Sequence, residues 1–249
     1  MRVALWVTAA WAGQVPLEEV PRRAMPDLDE VDGLLEPVRL WGQLGERALL
    51  VALPRPGDLS GMPRGSADLL AAATRAEECV YVPGVGGALV PTFEEFGPEG
   101  DRGWLARWET FASEPVPTHR VEALDLSQVE LGLRTGLSEQ TEALAGVGAT
   151  PFGAAAETGA RRARAAVRAG TLIGDWGLPD GIPGRAARVI ALAGTVLRLA
   201  DAGLEPGADA ADASSTLARA HLLRTLQAQA ARALADATNA AVLALAGWR

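Results

Sequence analysis

The sequence contains no lysine, because all 23 of its basic residues are arginine. This absence excludes a Walker A lysine, a Schiff-base or pyridoxal-phosphate lysine and the lysine of an S-x-x-K nucleophile pair. Alanine and glycine are abundant, so we attribute the arginine to the coding bias of a GC-rich bacterial genome. An arginine cluster in this chain is therefore weak evidence for a ligand site by itself.

Cysteine and histidine are almost absent, with Cys79, His119 and His221 as the complete set. One cysteine cannot form an intrachain disulfide, which fits a reducing cytoplasm. None of the three residues is spaced as a zinc pair. Residues 27–32 resemble half of a calcium loop, but Val38 stands where the closing carboxylate is needed, so a solvated acidic turn is the better prediction. We predict no metal and no cofactor.

Long apolar segments are also missing. The two longest uncharged runs, residues 3–17 and 79–93, have fifteen residues each and contain proline and glycine, whereas a membrane span needs about 18 or more. Residues 3–12 faintly resemble a secretory signal, but cleavage after Ala12 would leave a peptide shorter than the usual ~15–30 residues. We expect a soluble, cytoplasmic protein with a buried first β-strand over residues 3–11.

The net charge of −8 is unevenly distributed. Residues 1–120 hold 18 acidic residues and 11 arginines, whereas residues 121–249 hold 13 and 12. Nucleic acids and anionic membranes require a positive surface, so the composition argues against both as partners.

The first 120 residues show an α+β pattern. Strand-like segments lie at 79–82, 88–90 and 104–111, two shorter pieces lie between 38 and 53, and a helix is expected from about 66 to 78. The glycines of residues 83–87 suggest either a phosphate-binding loop or a hairpin turn, and we favour the turn because another strand follows. Four of the seven tryptophans, Trp11, Trp41, Trp104 and Trp108, are expected to fill the core.

The remainder of the chain has helical periodicity. Helices are predicted at about 126–144, 154–169, 185–202 and 214–248. The last helix is rich in alanine and carries a continuous apolar stripe, formed by Leu223, Leu226, Ala230, Leu234, Ala237, Ala241, Leu245 and Trp248. We therefore predict an α+β fold, with a mixed sheet and short helices over residues 1–120 and a helical bundle over residues 121–249, or one core that both parts share.

Two groups are candidate binding residues. Arg161, Arg164 and Arg168 lie on one helix face, which is either a solvent-exposed surface, a dock for the acidic half of the same or a second copy, or a site for an anionic ligand. Asp175 and Trp176 lie in a glycine-rich loop. A second acidic loop holds Glu94, Glu95, Glu99 and Asp101, and the alternative for both loops is solvated surface.

No residue is predicted to be catalytic. Ser66 lacks the glycines of a nucleophile elbow, because Arg64 and Asp68 occupy their positions. The leading hypothesis is a non-catalytic protein that acts through association, with itself along the last helix or with another protein. The alternative is a small-molecule enzyme or ligand-binding protein with a cleft between the two parts, and a third is a regulator that binds an anionic partner through the arginines.

Overall fold

The computed structural model describes residues 1–98, 100–117, 119, 122–147, 161, 177–205 and 213–248. These residues fall into two compact units. The first holds Met1–Leu124, Gly177–Ala186 and the end of the last helix from Ala235 onward, and the second holds helical segments that include Ala187–Leu234. The α+β prediction is confirmed, because a five-stranded mixed sheet with short helices is followed by a helical region that ends in a long helix.

The first unit is built around that sheet. Its strands are β1 (Glu30–Asp32), β2 (Leu50–Ala52), β3 (Cys79–Tyr81), β4 (Ala88–Phe96) and β5 (Gly103–Phe111). Their spatial order is β1-β5-β4-β3-β2, and β1 is parallel to β5 whereas the other neighbours are antiparallel. The helices are α1 (Arg2–Trp11), α2 (Val20–Ala24), α3 (Leu35–Gln43) and α4 (Ala67–Ala76), with a 3₁₀ turn at Leu17–Glu19.

The strand predicted for residues 3–11 is wrong, because this segment forms helix α1. Seven consecutive residues from Val3 to Ala9 are buried, so the helix is covered on all sides. A continuous apolar run has the same appearance in a buried strand and in a buried helix, so periodicity does not separate the two. Alanine, the strongest helix former, occupies three of the ten positions in α1.

The strand-like piece predicted near residue 38 is also wrong. Leu35–Gln43 forms α3, whose buried residues Val38 and Trp41 lie one helical turn apart. The second predicted piece is confirmed as β2, which is buried along its whole length. The predicted helix over residues 66–78 is confirmed as α4, and the Ser66 hydroxyl oxygen caps it by accepting a hydrogen bond of 3.1 Å from the Leu69 amide.

Three further helices are α5 (Leu126–Gly146), α6 (Gly184–Leu204) and α7 (Ala213–Leu245), which confirm the predicted segments at these positions. The helix predicted over residues 154–169 lies outside the described residues except for Arg161. Within a single chain, the apolar stripe of α7 is already buried from Leu223 to Leu245. Self-association along α7 stays a prediction, and it has no exposed apolar stripe of this helix to use.

None of the described helices combines the length and the apolar character that crossing a bilayer requires.

Candidate functional site

The outer half of the β4–β5 hairpin, residues 92–96 and 103–107, is called the hairpin arm. It is exposed along β4, whereas on β5 Trp104 and Arg107 are exposed and Ala106 is buried. Ala88, Leu89, Val90 and Pro91 of β4 are buried, whereas every residue from Thr92 to Phe96 is exposed. The two strands stay paired along the arm, from Thr92 opposite Arg107 to Phe96 opposite Gly103. A regular ladder therefore continues beyond the buried part of β4.

Three large aromatic side chains are exposed on this arm. Phe93 is 52% exposed, Phe96 40% and Trp104 46%. Phe93 lies opposite Ala106 and Trp104 opposite Glu95, so Phe93 and Trp104 are diagonal neighbours on one face of the ladder. Phe96 belongs to the other face because strand residues alternate. The prediction that Trp104 fills the core is wrong, whereas Trp41 and Trp108 are buried as expected.

Two of the four acidic residues that were assigned to a loop belong to strand β4, which corrects that part of the prediction. Glu94 and Glu95 are strand residues, Asp101 lies in the turn that follows, and Glu99 lies outside the described residues. Glu95 pairs with Arg102 at 3.1 Å, and Glu94 lies 4.0 Å from Arg107. Exposed pairs of this kind contribute about 0–1 kcal/mol, so they leave both carboxylates available to a partner.

One backbone edge of the hairpin arm is bonded to the segment that leads into β1. The Trp104 amide donates to Asp29 Oδ2 at 2.8 Å, and the Trp104 carbonyl accepts from the Asp29 amide at 3.0 Å. Gly103 leaves space for this approach, because a Cβ there would lie 2.7 Å from the Phe96 ring and 2.9 Å from Asp29 Oδ2. The predicted acidic turn is therefore partly wrong, since Glu30–Asp32 is strand β1 and Asp29 anchors it to β5.

The opposite backbone edge, that of β4, has no strand beside it in the described part of the chain after Leu89. Strand β3 pairs with β4 only at Ala88 and Leu89. In a directly opposed antiparallel pair, the backbone N–H and C=O groups of both residues point either toward the other strand or away from it. The backbone groups of Trp104 point to Asp29, so those of its partner Glu95 point away from β5. The backbone groups of Phe93, two residues earlier, point in the same direction as those of Glu95.

A groove lies over the face of the sheet that carries Val90, Thr92 and Glu109. It has a volume of about 330 Å³ and is bounded on one side by helix α4. Its walls are formed by Ala72, Arg75, Ala76, Val90, Pro91, Thr92, Phe93 and Glu109. The groove therefore adjoins β4 near Pro91, and no described residue pairs with the free edge beyond Leu89.

The glycine loop of residues 83–87 is the hairpin turn between β3 and β4, which confirms the turn prediction. Two of its backbone donors are bonded within the chain. The Val85 amide donates to Glu46 Oε1 at 2.5 Å, and the Gly87 amide donates to Ser113 Oγ at 2.8 Å. Glu46 is only 7% exposed, so the position that a phosphate would need is held by a carboxylate of the chain itself.

The predicted binding residues are mostly outside the described part of the chain. Arg161 is helical and exposed, whereas Arg164, Arg168, Asp175 and Trp176 are not among the described residues. The structure therefore leaves the arginine stripe and the Asp175 loop as predictions. The exposed aromatic residues of the hairpin arm were missed, although the two adjacent carboxylates Glu94 and Glu95 are a signal of an exposed segment, because such residues are rarely buried.

The histidine, cysteine and acidic side chains were the candidates for metal or nucleophile chemistry. Within the described ranges, no group of three or more histidine, cysteine or acidic side chains could hold a metal ion. Cys79 is fully buried, and burial raises the pKa of its thiol to about 12. A thiol with this pKa is almost entirely protonated at neutral pH and is a poor nucleophile.

Comparison with known proteins places the chain in a family. The model for the N-terminal domain of the Rv1486c-like protein matches residues 1–123, and the model for its C-terminal domain matches residues 127–235. Neither the curated proteins nor the solved structures include a match to this chain. The two family descriptions say which domain of the protein each model covers and state no activity. The two matches follow one another along nearly the whole chain, which therefore belongs to the Rv1486c-like family.

Proposed function

We propose that this protein is non-catalytic and acts by binding another protein molecule, with the hairpin arm as its contact surface. The observation that carries the proposal is the exposure of Phe93, Phe96 and Trp104 on one short ladder. Aromatic residues are enriched in the energetically important parts of protein interfaces, and clustered exposed apolar side chains commonly mark such interfaces.

Two features of the arm favour an interface over an isolated surface irregularity. The arm is a paired β-ladder anchored by the two Asp29 hydrogen bonds, so its aromatic side chains are held on a defined backbone. Binding to an ordered surface avoids part of the entropy cost of ordering a loop. The acidic side chains beside the aromatic residues add a charged rim of the kind that selects partners.

The polar groups that suggested chemistry have structural roles, which supports the non-catalytic part of the proposal. The Ser66 hydroxyl caps α4, and Glu46 bonds the turn between β3 and β4. We place the protein in the cytoplasm, where its single buried thiol would remain reduced. The alternative of a small-molecule cleft that includes Asp175 and Trp176 stays a prediction.

Photo-crosslinking tests the proposal. A benzophenone amino acid is introduced in place of Phe93 or Trp104, and in place of Leu217 as a control, in cells that make the protein naturally. Leu217 is 70% exposed but belongs to α7, so it controls for exposure alone. We expect a discrete protein adduct from the two hairpin positions and none from Leu217.

An adduct of twice the chain mass would identify the partner as a second copy, and light scattering at low and high salt would then measure that association. Equal adduct patterns from all three positions, or no adduct from Phe93 and Trp104, would contradict the proposal.

A further inference from the structure

We propose that the free edge of β4 binds an extended segment of a different protein as a sixth strand of the sheet, and that this segment alternates apolar with basic residues. The inference rests on the proposed function and specifies both the mode of binding and the chemistry of the partner. Addition of a strand to an exposed sheet edge is an established way for proteins to recognise extended peptides.

The edge presents backbone groups in the correct arrangement. Phe93 and Glu95 each direct an N–H and a C=O away from β5, as the pairing of Trp104 with Asp29 requires. The residues between and beside them, Thr92, Glu94 and Phe96, use their backbone groups for the ladder with β5. Five exposed residues span about 17 Å, which is long enough for a short added strand.

Helix α4 borders the groove near Pro91. Its residues Ala72 and Ala76 are small, so side chains of an added strand have space over this face of the sheet. Main-chain hydrogen bonds then supply affinity, while alternate side chains of the peptide contact the two faces.

The side chains around the edge define the partner's chemistry. Phe93 and Trp104 on one face would contact an apolar residue of the added strand. Glu94 and Glu95 are the only charged residues of β4, and they lie on opposite faces of the ladder because strand residues alternate. Glu94 is on the face opposite that of Phe93, where its carboxylate lies 4.0 Å from Arg107, so an arginine or lysine of the added strand is favoured beside it. Arg75 and Glu109 also line the groove.

A second copy of this chain fits the edge poorly. A symmetric antiparallel pair centred on Glu94 or on Glu95 would place that carboxylate opposite its own copy, and like charges in directly opposed positions are destabilising. A pair centred on Phe93 would place Pro91 opposite Glu95 of the other copy. Proline has no N–H, so this register would lose a hydrogen bond on each side of the axis.

Variants of β4 test the inference, because the backbone N–H groups along this strand point alternately toward β5 and toward the free edge. Glu95→Pro removes an N–H that faces outward, so the β4–β5 ladder is retained. Glu95→Ala removes the same side chain and keeps the N–H, which makes it the matched control. Glu94→Pro removes an N–H that faces β5, so this variant alone should unfold the arm. Thermal unfolding of the three variants therefore checks the register before any binding is measured.

The probe is a seven-residue peptide of alternating valine and arginine, blocked at both ends and labelled for fluorescence anisotropy. We expect it to bind the wild-type protein and Glu95→Ala, and to bind Glu95→Pro about tenfold more weakly than Glu95→Ala, because a hydrogen bond is lost at the edge. Replacing arginine with glutamate in the peptide should abolish binding.

Methylation of the peptide backbone is the second control. A peptide N-methylated at two consecutive central residues directs one methyl group at β4 in either register, so we expect it to lose binding by about tenfold or more. Hydrogen exchange gives an independent measurement. The Phe93 and Glu95 amides should exchange rapidly in the free protein and become protected with the peptide, whereas the Glu94 amide should be protected in both states.

Three results would overturn the inference: no binding of the probe to the wild-type protein, equal binding of the methylated and parent peptides, or a dimer of the chain that Glu95→Pro dissociates. The last result would identify a second copy as the occupant. If crosslinks form at Phe93 and Trp104 but methylation has no effect, the proposed function survives while strand addition fails.

Discussion

The side chain of Asn239 forms two hydrogen bonds with the backbone of Val51. Its Oδ1 accepts from the Val51 amide at 2.8 Å, and its Nδ2 donates to the Val51 carbonyl at 2.9 Å. Val51 is the central residue of β2, the last strand on that side of the sheet, and both residues are buried. The amide of Asn239 thus occupies the place of a further strand, so the end of α7 closes this edge, whereas no described residue pairs with the β4 edge beyond Leu89.

Asn239→Asp should destabilise the first unit strongly. A carboxylate cannot donate to the Val51 carbonyl, so the variant leaves one buried backbone oxygen unpaired and places a charge beside it. We expect a loss of about 3–5 kcal/mol, the cost typical of an uncompensated buried charge.

Denaturant unfolding measures this loss, and Thr8→Val serves as the comparison. The Thr8 hydroxyl oxygen accepts one hydrogen bond of 3.1 Å from the Leu49 amide, so its removal should cost about 1–3 kcal/mol. An Asn239→Asp protein as stable as Thr8→Val would contradict the central role of the paired amide.

Glu77→Gly should destabilise the protein although glycine suits the backbone at this position. Glu77 ends α4 in the left-handed conformation with φ of 56°, which glycine adopts without strain. Its carboxylate, however, pairs with the guanidinium of Arg55, whose side chain is 8% exposed. Loss of a hydrogen bond to a charged group costs about 1.5–3 kcal/mol, more than the roughly 1 kcal/mol gained from relief of the conformation.

The matched variant is Glu77→Gln, which keeps the backbone strain and a hydrogen-bond acceptor but removes the charge. We expect its melting temperature to lie between those of the wild-type protein and Glu77→Gly. A Glu77→Gly protein that melts above the wild type would show that the backbone conformation outweighs the ion pair.

Stability should fall at alkaline pH because of Cys79. Burial raises the pKa of this thiol to about 12, whereas an exposed thiol in the unfolded chain titrates near 8.5. Between these values the folded state binds more protons than the unfolded state, so the free energy of unfolding decreases as pH rises. The decrease approaches about 1.4 kcal/mol per pH unit above the unfolded pKa.

Chemical denaturation at pH 8, 9 and 10 measures this slope, and Cys79→Ala should reduce it. Part of the slope should remain, because burial also raises the pKa of Tyr81, with further contributions from Cys79 and Asp236. Identical slopes in the wild type and Cys79→Ala would exclude the thiol as the cause.

Gly33→Ala should cost far more stability than Gly13→Ala. Both glycines have positive φ, 75° and 79°, so both substitutions carry the same backbone strain of about 1–2 kcal/mol. They differ in space, because a Cβ at residue 33 would overlap the carbonyl oxygen of Trp108, whereas nothing lies within 4 Å of one at residue 13.

We therefore expect a small decrease in melting temperature for Gly13→Ala and a failure to fold, or a much larger decrease, for Gly33→Ala. Thermal unfolding followed by circular dichroism compares them directly. Equal effects would mean that the segment before α3 can move away from β5.

Local patterns were sufficient where a segment shows one period over a long stretch or carries a clear terminal signal. The apolar stripe of α7 and the Ser66 cap of α4 are of this kind, and the glycines between β3 and β4 marked their turn. In α1 and α3 the same reasoning failed. The buried helix α1 has no polar face, and α3 has only nine residues, so its helical period rests on few positions.

The candidate site was less accessible to prediction than the fold. The sequence shows that β4 contains Phe93 beside two carboxylates, but exposure of that segment depends on where β3 ends in space. Likewise, Trp104 has the composition of a core residue and lies on the surface because β5 continues beyond the buried part of the sheet. Tertiary contacts decide this, since a large aromatic side chain is equally suited to a core and to an interface.

The amino-acid sequence by itself determined the α+β class, the order of its later helices, the absence of lysine chemistry and the acidic character of the first half. These follow from composition and from interactions between residues close in the chain. Only the tertiary structure decided that Asn239 closes one edge of the sheet, whereas no described residue pairs with the β4 edge beyond Leu89. Hydrogen bonds between Val51 and a residue 188 positions later depend on how the whole chain packs, and no local pattern specifies them.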